Sequence, residues 1–68
     1  MIVVENIEKF CKNEGISVKE FERRCKLGNS TVGKWRRGLS SPSVSTLMRI
    51  SEATDVPTEN WIKENGIA

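Results

Sequence analysis

Seven positively charged side chains lie between residues 23 and 49, with no acidic residue among them. They are Arg23, Arg24, Lys26, Lys34, Arg36, Arg37 and Arg49. The flanking segments are acidic, with five Glu against three Lys over residues 1–22, and three Glu and one Asp against one Lys over residues 50–68. One-sided positive charge of this kind is typical of a protein that neutralises a phosphate backbone, although a short basic run can also be simply solvated surface.

Side chains that support catalysis or metal binding are almost absent. The chain has no His, no Tyr and a single Asp, so the usual general bases and nitrogen ligands are missing. Its two cysteines, Cys11 and Cys25, form no Cys-x-x-Cys pair. We expect both to be small buried hydrophobic residues rather than a disulfide, which is rare in a reducing cytosol. An enzyme, a metal site and a cofactor are therefore not expected.

The sequence gives no sign of a membrane or secreted protein. No apolar run approaches the roughly 20 residues that span a bilayer. The start, Met1–Glu5, lacks the basic region of a signal peptide. We expect one small cytoplasmic domain over residues 1–68, with no membrane partner.

Helix breakers divide the chain into five short segments of helical periodicity. Gly15 is a candidate C-cap of the first helix, and Ser17 with Glu20 forms a capping box that starts the second. No window alternates long enough for a strand, so an all-α fold is predicted. The predicted helices are Val3–Glu14; Ser17 to near Lys26; a third that Gly28 or Asn29 caps and that runs through Trp35, with Gly38 as its stop; a fourth that begins with Pro42 in its first turn and Ser43 as its cap; and Val56–Glu64.

One face of each predicted helix is apolar at intervals of three and four residues. These stripes are predicted to form the core, and both tryptophans belong to them rather than to a surface that stacks on bases. The predicted core residues are Val3, Ile7, Phe10, Cys11, Phe21, Cys25, Val32, Trp35, Val44, Leu47, Met48, Ile50, Ala53 and Trp61.

The second and third helices, with the tight turn between them, have a distinctive residue pattern. Its elements are Ile16-Ser17, Lys19-Glu20-Phe21, Leu27, Ser30-Thr31-Val32, Lys34-Trp35, Arg37-Gly38 and Ser41-Pro42-Ser43. This pattern resembles the helix-turn-helix domain of the lambdoid phage repressors and Cro, the XRE family. The likeness covers about residues 7–64, with the helix-turn-helix at about 17–37. It implies a five-helix repressor-like fold whose third helix lies in the major groove of DNA, which admits one α-helix.

The resemblance also implies which residues face the bases. Carried over by position, they are Gly28, Asn29, Ser30, Gly33 and Lys34. Asn29 is suited to a bidentate pair with adenine, and Lys34 to donation to guanine. Gly33 has two interpretations, a close approach of the helix backbone to the groove and a neutral surface position.

Phosphate contacts are expected from a second set of residues around the third helix. Lys26 and Arg49 are left out of this set, since Lys26 is a turn residue and Arg49 lies far along the fourth helix. The expected set is Ser17, Arg24, Thr31, Arg36, Arg37, Ser40, Ser41 and Ser43, with the backbone N–H groups near Ser17 and Ser43 contributing directly.

Several residues depart from the family pattern. Val18 stands where a phosphate-binding Gln is usual, Glu22 where a tightly packed Ala is usual, and Lys26 where the turn has Gly. A buried carboxylate at Glu22 needs a partner or an escape to solvent. Lys26 must adopt the left-handed conformation, at a cost of roughly 1 kcal/mol, unless the turn is reshaped.

A further departure concerns the link between the first and third helices. Family members often join them by a buried Arg–Glu pair, and those two positions hold Cys11 and Arg36 here. Because both partners are replaced together, we predict that Arg36 turns outward and joins the basic residues.

Two functions follow from these observations. The first is a sequence-specific regulator of phage or prophage type, which represses by occupying an operator in double-stranded DNA. If it binds as a homodimer, the candidate dimer surfaces are the region of Trp61, Ile62 and Ile67 and the apolar residues 1–4. The alternative is an antitoxin or anti-repressor that keeps the fold but binds a protein partner. An architectural DNA binder is disfavoured because no intercalating wedge is evident.

Overall fold

Five α-helices and no strand make up the structure, a computed structural model that describes all of residues 1–68. The helices are α1 Ile2–Glu14, α2 Val18–Arg24, α3 Thr31–Arg36, α4 Val44–Thr54 and α5 Thr58–Ile62. The all-α fold predicted from the sequence is confirmed. None of these helices is long and apolar enough to cross a membrane.

Three predicted helix ends are confirmed. Gly15 closes α1 in the left-handed conformation, with φ of 69°. Ser17 Oγ accepts the backbone N–H of Glu20 at 3.0 Å and begins α2. Ser43 Oγ accepts the N–H of Thr46 at 3.2 Å and begins α4. These signals can be read from sequence because each depends on one residue and its own helical turn.

Other helix ends differ from the predicted ones. The N-cap of α3 is Ser30, with φ of 62°, rather than Gly28 or Asn29. Pro42 precedes the N-cap of α4 instead of lying in its first turn. The last helix ends at Ile62, two residues before the predicted end. The start of α3 differs from the prediction because the turn before the helix and contacts from other helices define it.

The core is built around three aromatic rings from α1, α2 and α5. The ring centroids of Phe10 and Trp61 are 5.5 Å apart, and each ring lies 5.8 Å from Phe21. The α3 helix adds Val32 and Trp35 to this core, so its opposite side stays exposed. The buried hydrophobic residues are Val3, Val4, Ile7, Cys11, Phe21, Cys25, Val32, Trp35, Leu47, Ile50 and Trp61.

The predicted buried stripe of α4 is wrong at three positions. Leu47 and Ile50 are buried, but Val44, Met48 and Ala53 are exposed. At 100° per residue, Val44 and Ala53 lie about 90° from the centre of the Leu47–Ile50 stripe, and Met48 about 130° from it. Because α4 meets the core through this narrow stripe alone, its remaining apolar side chains face solvent.

The end of α5 is fastened to α1 by one buried side chain. Asn6 Nδ2 donates to three carbonyl oxygens, those of Asn60 at 3.1 Å, Trp61 at 2.9 Å and Lys63 at 3.0 Å. Gly66 packs against the same turn, where a Cβ would lie 1.7 Å from the Asn60 oxygen. The amide of Asn6 thus provides partners for the carbonyls of Asn60 and Trp61, which accept no helical N–H at the end of α5, and adds a bond to the Lys63 carbonyl, which also accepts the Gly66 N–H at 3.1 Å.

Part of the predicted dimer surface is corrected by this packing. Trp61 is fully buried, and Val3 and Val4 are also buried. Their side chains serve the core and do not form a contact surface for a second copy. Ile62 is the large exposed apolar residue of α5.

Candidate nucleic-acid interface

The turn between α2 and α3 is held in an unusual conformation without glycine at its strained positions. Lys26 and Ser30 both have positive φ, 58° and 62°. Lys26 therefore adopts the left-handed conformation, the first of the two possibilities that the sequence leaves open. The turn is closed by the N–H of Leu27, which donates to the carbonyl of Glu22 at 2.8 Å. The surrounding structure holds Lys26 and Ser30 in the left-handed backbone conformation, which costs about 1–2 kcal/mol for each non-glycine residue.

Glu22 is buried and has found a partner on α3. Its side chain is 6% exposed, and Oε2 accepts the backbone N–H of Val32 at 2.9 Å. Val32 is the second residue of α3, whose N–H has no acceptor within the helix. The N-cap residue Ser30 forms no side-chain cap of its own. Glu22 therefore caps α3 from the preceding helix, and the Val32 N–H is the partner that its buried carboxylate requires.

Arg49 holds the same turn from α4. Its Nη1 donates to the carbonyl oxygen of Lys26 at 3.0 Å, and Nη2 donates to Thr46 Oγ1 at 3.4 Å. Sequence reasoning missed this role because the two residues are 23 positions apart and no local pattern connects them. The turn is thus fixed by side chains from both α2 and α4.

The residues predicted to face bases lie in the turn before α3, at its N-cap and within the helix. Gly28, Asn29, Ser30 and Lys34 are exposed, and Gly33 is partly exposed. The side chains of Asn29 and Lys34 form no hydrogen bond or ion pair within the chain. Their donors and acceptors are therefore free for a ligand.

Gly33 has no packing reason to be glycine. A Cβ added there would meet no atom within 4 Å. Glycine inside a helix costs about 1 kcal/mol relative to Ala. By contrast, a Cβ at Gly28 would lie 3.2 Å from Thr31 Oγ1, whose hydroxyl donates to the Gly28 carbonyl at 2.6 Å.

Several of the residues predicted to contact phosphate are already engaged within the chain. Arg24 Nε donates to Glu20 Oε2 at 3.0 Å, and Arg23 Nε donates to Glu20 Oε1 at 2.9 Å. These hydrogen bonds, that of Arg23 first, lower the pKa of Glu20 from 4.5 to about 2. A capping box also has the Glu20 carboxylate accept the backbone N–H of Ser17, and this predicted bond is wrong, because the carboxylate accepts from the two arginines instead.

The hydroxyls and the last arginine of the predicted phosphate set fall into two groups. Ser17 and Ser43 use their oxygens as helix caps, and Thr31 bonds the Gly28 carbonyl. The exposed side chains without partners are those of Arg37, Ser40 and Ser41. Lys34, on α3, and Arg37, directly after it, are two exposed positive charges without a partner in the chain.

Arg36 is half exposed but is not free. Its Nη2 donates to Glu8 Oε2 at 2.7 Å, which joins α3 to α1. The prediction that Arg36 turns outward and joins the basic residues is therefore wrong in part. Glu8, one helical turn before Cys11 on α1, supplies the carboxylate that position 11 lacks, and this carboxylate pairs with Arg36. The link between α1 and α3 is kept, with other residues.

The two cysteines are free and buried, as the sequence predicted. Burial is the main cause that raises the pKa of both thiols, that of Cys25 to about 11. Both therefore remain protonated at neutral pH and behave as small apolar side chains.

The comparison with known families agrees with the arrangement of α2 and α3. The sequence model of the helix-turn-helix family matches residues 7–61. No curated protein and no solved structure gives a significant match. The chain belongs to the XRE, or Cro-type, helix-turn-helix family. It is accordingly a DNA-binding regulator of the XRE type, in a family of non-enzymatic domains.

Proposed function

We propose that this chain is a sequence-specific regulator of the phage-repressor type, a single domain that places α3 in the major groove of double-stranded DNA. The observation that carries the proposal is the free polar surface of α3. The side chains of Asn29 and Lys34 have no partners within the chain, and α3 itself contains no Asp or Glu. Asn pairs with adenine and Lys with guanine in the major groove.

Phosphate binding is proposed for a smaller group of residues than the sequence suggested. Arg37, Ser40 and Ser41 are exposed and unengaged, and they directly follow α3. Arg24 and Arg36 would have to break their ion pairs with Glu20 and Glu8 before they could bind phosphate. Each phosphate that a lysine or arginine neutralises contributes about −0.9 to the slope of log affinity against log salt.

The experiment that tests this function is selection of bound duplexes from a random pool at about 100 mM salt. Enrichment of a half-site, alone or as an inverted repeat, supports sequence-specific binding. Asn29→Ala should then cost about 1–3 kcal/mol of discrimination at one base pair. Binding without enrichment would mean that the surface holds phosphates without reading bases. Absence of binding would favour the antitoxin or anti-repressor alternative, in which the fold binds a protein.

A further inference from the structure

Helices α1 and α2 end in the same hydrogen-bonded turn, a Schellman motif. In each, the N–H of a left-handed residue donates to the carbonyl three positions earlier, and the following N–H donates to the carbonyl five positions earlier. The left-handed residue is Gly15 at the end of α1, with φ of 69°, and Lys26 at the end of α2, with φ of 58°. The following N–H belongs to Ile16, with a bond of 3.0 Å, and to Leu27, with a bond of 2.8 Å. The chain therefore builds one turn twice, once with glycine and once with lysine.

Lysine is poorly suited to this position. Glycine adopts the left-handed conformation readily, whereas the Cβ of any other residue crowds the backbone there. The other non-glycine residues with positive φ are Ser30, Asp55 and Asn65. Asp and Asn tolerate this conformation better than most residues, and the Ser30 carbonyl accepts the Lys34 N–H at 3.0 Å as α3 begins. Lys26 has neither a tolerant side chain nor a helical N–H on its carbonyl.

Arg49 supplies the contact that the turn at Lys26 has and the turn at Gly15 lacks. The Lys26 carbonyl accepts Arg49 Nη1 at 3.0 Å, whereas the Gly15 carbonyl accepts no hydrogen bond. Arg49 is itself held at the start of α4, because its Nη2 donates to Thr46 Oγ1, which lies 2.9 Å from the Ser43 hydroxyl. It forms no ion pair. No other hydrogen bond joins α4 to residues 18–36.

The turn at Lys26 is connected to α3 through Glu22. The Glu22 carbonyl accepts the Leu27 N–H that closes the turn, and the Glu22 carboxylate accepts the Val32 N–H at 2.9 Å. Only residues 27–30 separate the turn from the first residue of α3. A change in the backbone at Lys26 therefore changes the direction in which the chain enters α3.

We propose that Arg49 is a positioning residue for DNA binding, an inference that rests on the proposed function. Its bond to the Lys26 carbonyl replaces the conformational freedom that glycine provides at the end of α1, and it keeps α3 in the orientation that binds DNA. Without this bond, the Lys26 backbone relaxes in part of the molecules towards the conformations that lysine prefers. Since only molecules with the turn in place bind, the apparent affinity falls in proportion to their fraction.

The test measures the effect of Arg49→Ala in three backgrounds, which are the natural Lys26, Lys26→Gly and Lys26→Ala. Both substitutions at position 26 remove the lysine charge, but only glycine removes the conformational penalty. The duplex recovered from the random pool is titrated at several salt concentrations. Exchange of the Leu27 amide hydrogen is measured without DNA. The Ile16 amide is the internal reference, because global unfolding would speed both amides and opening of the turn at Lys26 only that of Leu27.

We expect Arg49→Ala to weaken duplex binding about fivefold, the effect of one net hydrogen bond on an equilibrium. Exchange of Leu27 should become faster by a similar factor, and that of Ile16 should not change. Both effects should nearly vanish in the Lys26→Gly background and persist in the Lys26→Ala background. The slope of log affinity against log salt should be the same with and without Arg49, because this guanidinium does not neutralise a phosphate.

Three results would overturn the proposal. A slope reduced by about 1 in Arg49→Ala would identify Arg49 as a phosphate contact. Equal losses of affinity in the Lys26→Gly and Lys26→Ala backgrounds would show that the bond does not compensate for lysine. Unchanged exchange of Leu27 in Arg49→Ala would show that the bond does not hold the turn.

Failure of the proposed function gives a different pattern. In that case every variant binds the duplex no better than a scrambled duplex of equal length, and the role of Arg49 in DNA binding fails with it. Exchange of Leu27 still responds to Arg49→Ala, because this measurement needs no DNA. When only the role of Arg49 is wrong, preference for the recovered duplex is intact and is not changed by Arg49→Ala.

Discussion

The carboxylate of Glu22, on α2, accepts the backbone N–H of Val32, on α3, at 2.9 Å across ten residues of sequence. This bond fixes the orientation of the two helices of the helix-turn-helix relative to each other. A carboxylate is also favourable at a helix N-terminus because of the helix dipole. The residue that departs most from the family pattern in α2 is thus the one that caps the helix proposed to read DNA.

Removal of the Glu22 acceptor is expected to destabilise the protein. Glu22→Ala leaves the buried Val32 N–H without its partner and should lower the free energy of unfolding by about 1–3 kcal/mol. Glu22→Gln retains an oxygen that can accept the bond and should lower it less. Urea unfolding measures both, and exchange of the Val32 amide hydrogen reports the bond itself. Equal losses in the two variants, with unchanged Val32 exchange, would show that the bond does not stabilise α3.

Gly33→Ala is expected to change stability and DNA binding in opposite directions. Ala at this open position should raise the free energy of unfolding by about 1 kcal/mol, because it favours the helix. If the α3 backbone closely approaches the bases, the added methyl group should weaken binding to the selected duplex. Urea unfolding and duplex titration separate the two effects. Unchanged or tighter binding would identify Gly33 as a neutral surface position.

Arg37 and Arg36 are adjacent but should differ in their effect on DNA binding. Arg37→Ala should weaken binding to all duplexes and reduce the slope of log affinity against log salt by about 1. Arg36→Ala should have a smaller effect, because Glu8 already holds that guanidinium. Glu8→Gln removes this competitor and should strengthen binding. Titrations at several salt concentrations would contradict this order if Arg36→Ala had the larger effect.

Stability is expected to fall at acid pH through Glu20. Its folded-state pKa is about 2, against an ordinary value of 4.5, because Arg23 and Arg24 donate to the carboxylate. The ionised form is thus favoured by folding, so this contribution is present above about pH 4.5 and disappears as the pH falls towards 2. Glu20→Gln should flatten the decrease in the urea midpoint over this range. Glu52→Gln, at an exposed carboxylate outside any ion pair, should leave the decrease unchanged.

The sequence predicted those parts of the fold whose cause is local. Gly15, Ser17 and Ser43 end or begin helices through bonds within one turn, and they were identified correctly. Val44 and Met48 were assigned to the core because apolar spacing shows which residues share a face, not whether a neighbouring helix covers it. Burial of an outer stripe depends on the number and angle of the surrounding helices, and these are set by the whole chain.

The candidate site was predictable in its location but not in its internal contacts. The free cations and the exposed side of α3 lie within the basic segment found in the sequence. The need for a partner at Glu22 was also evident, but its identity as a backbone N–H was not. Glu8 and Arg49 act across 28 and 23 residues, so only the folded chain brings them to Arg36 and Lys26.

The burial of both tryptophans has a consequence for optical measurements. Trp35 and Trp61 are enclosed in the core, and the chain has no Tyr. Intrinsic fluorescence therefore comes from side chains that sense the opening of the core, although Trp35 belongs to the helix proposed to enter the groove. Emission should shift to longer wavelength on unfolding and remain nearly constant when DNA is added. A dye on the duplex, rather than the protein's own emission, is needed to follow binding.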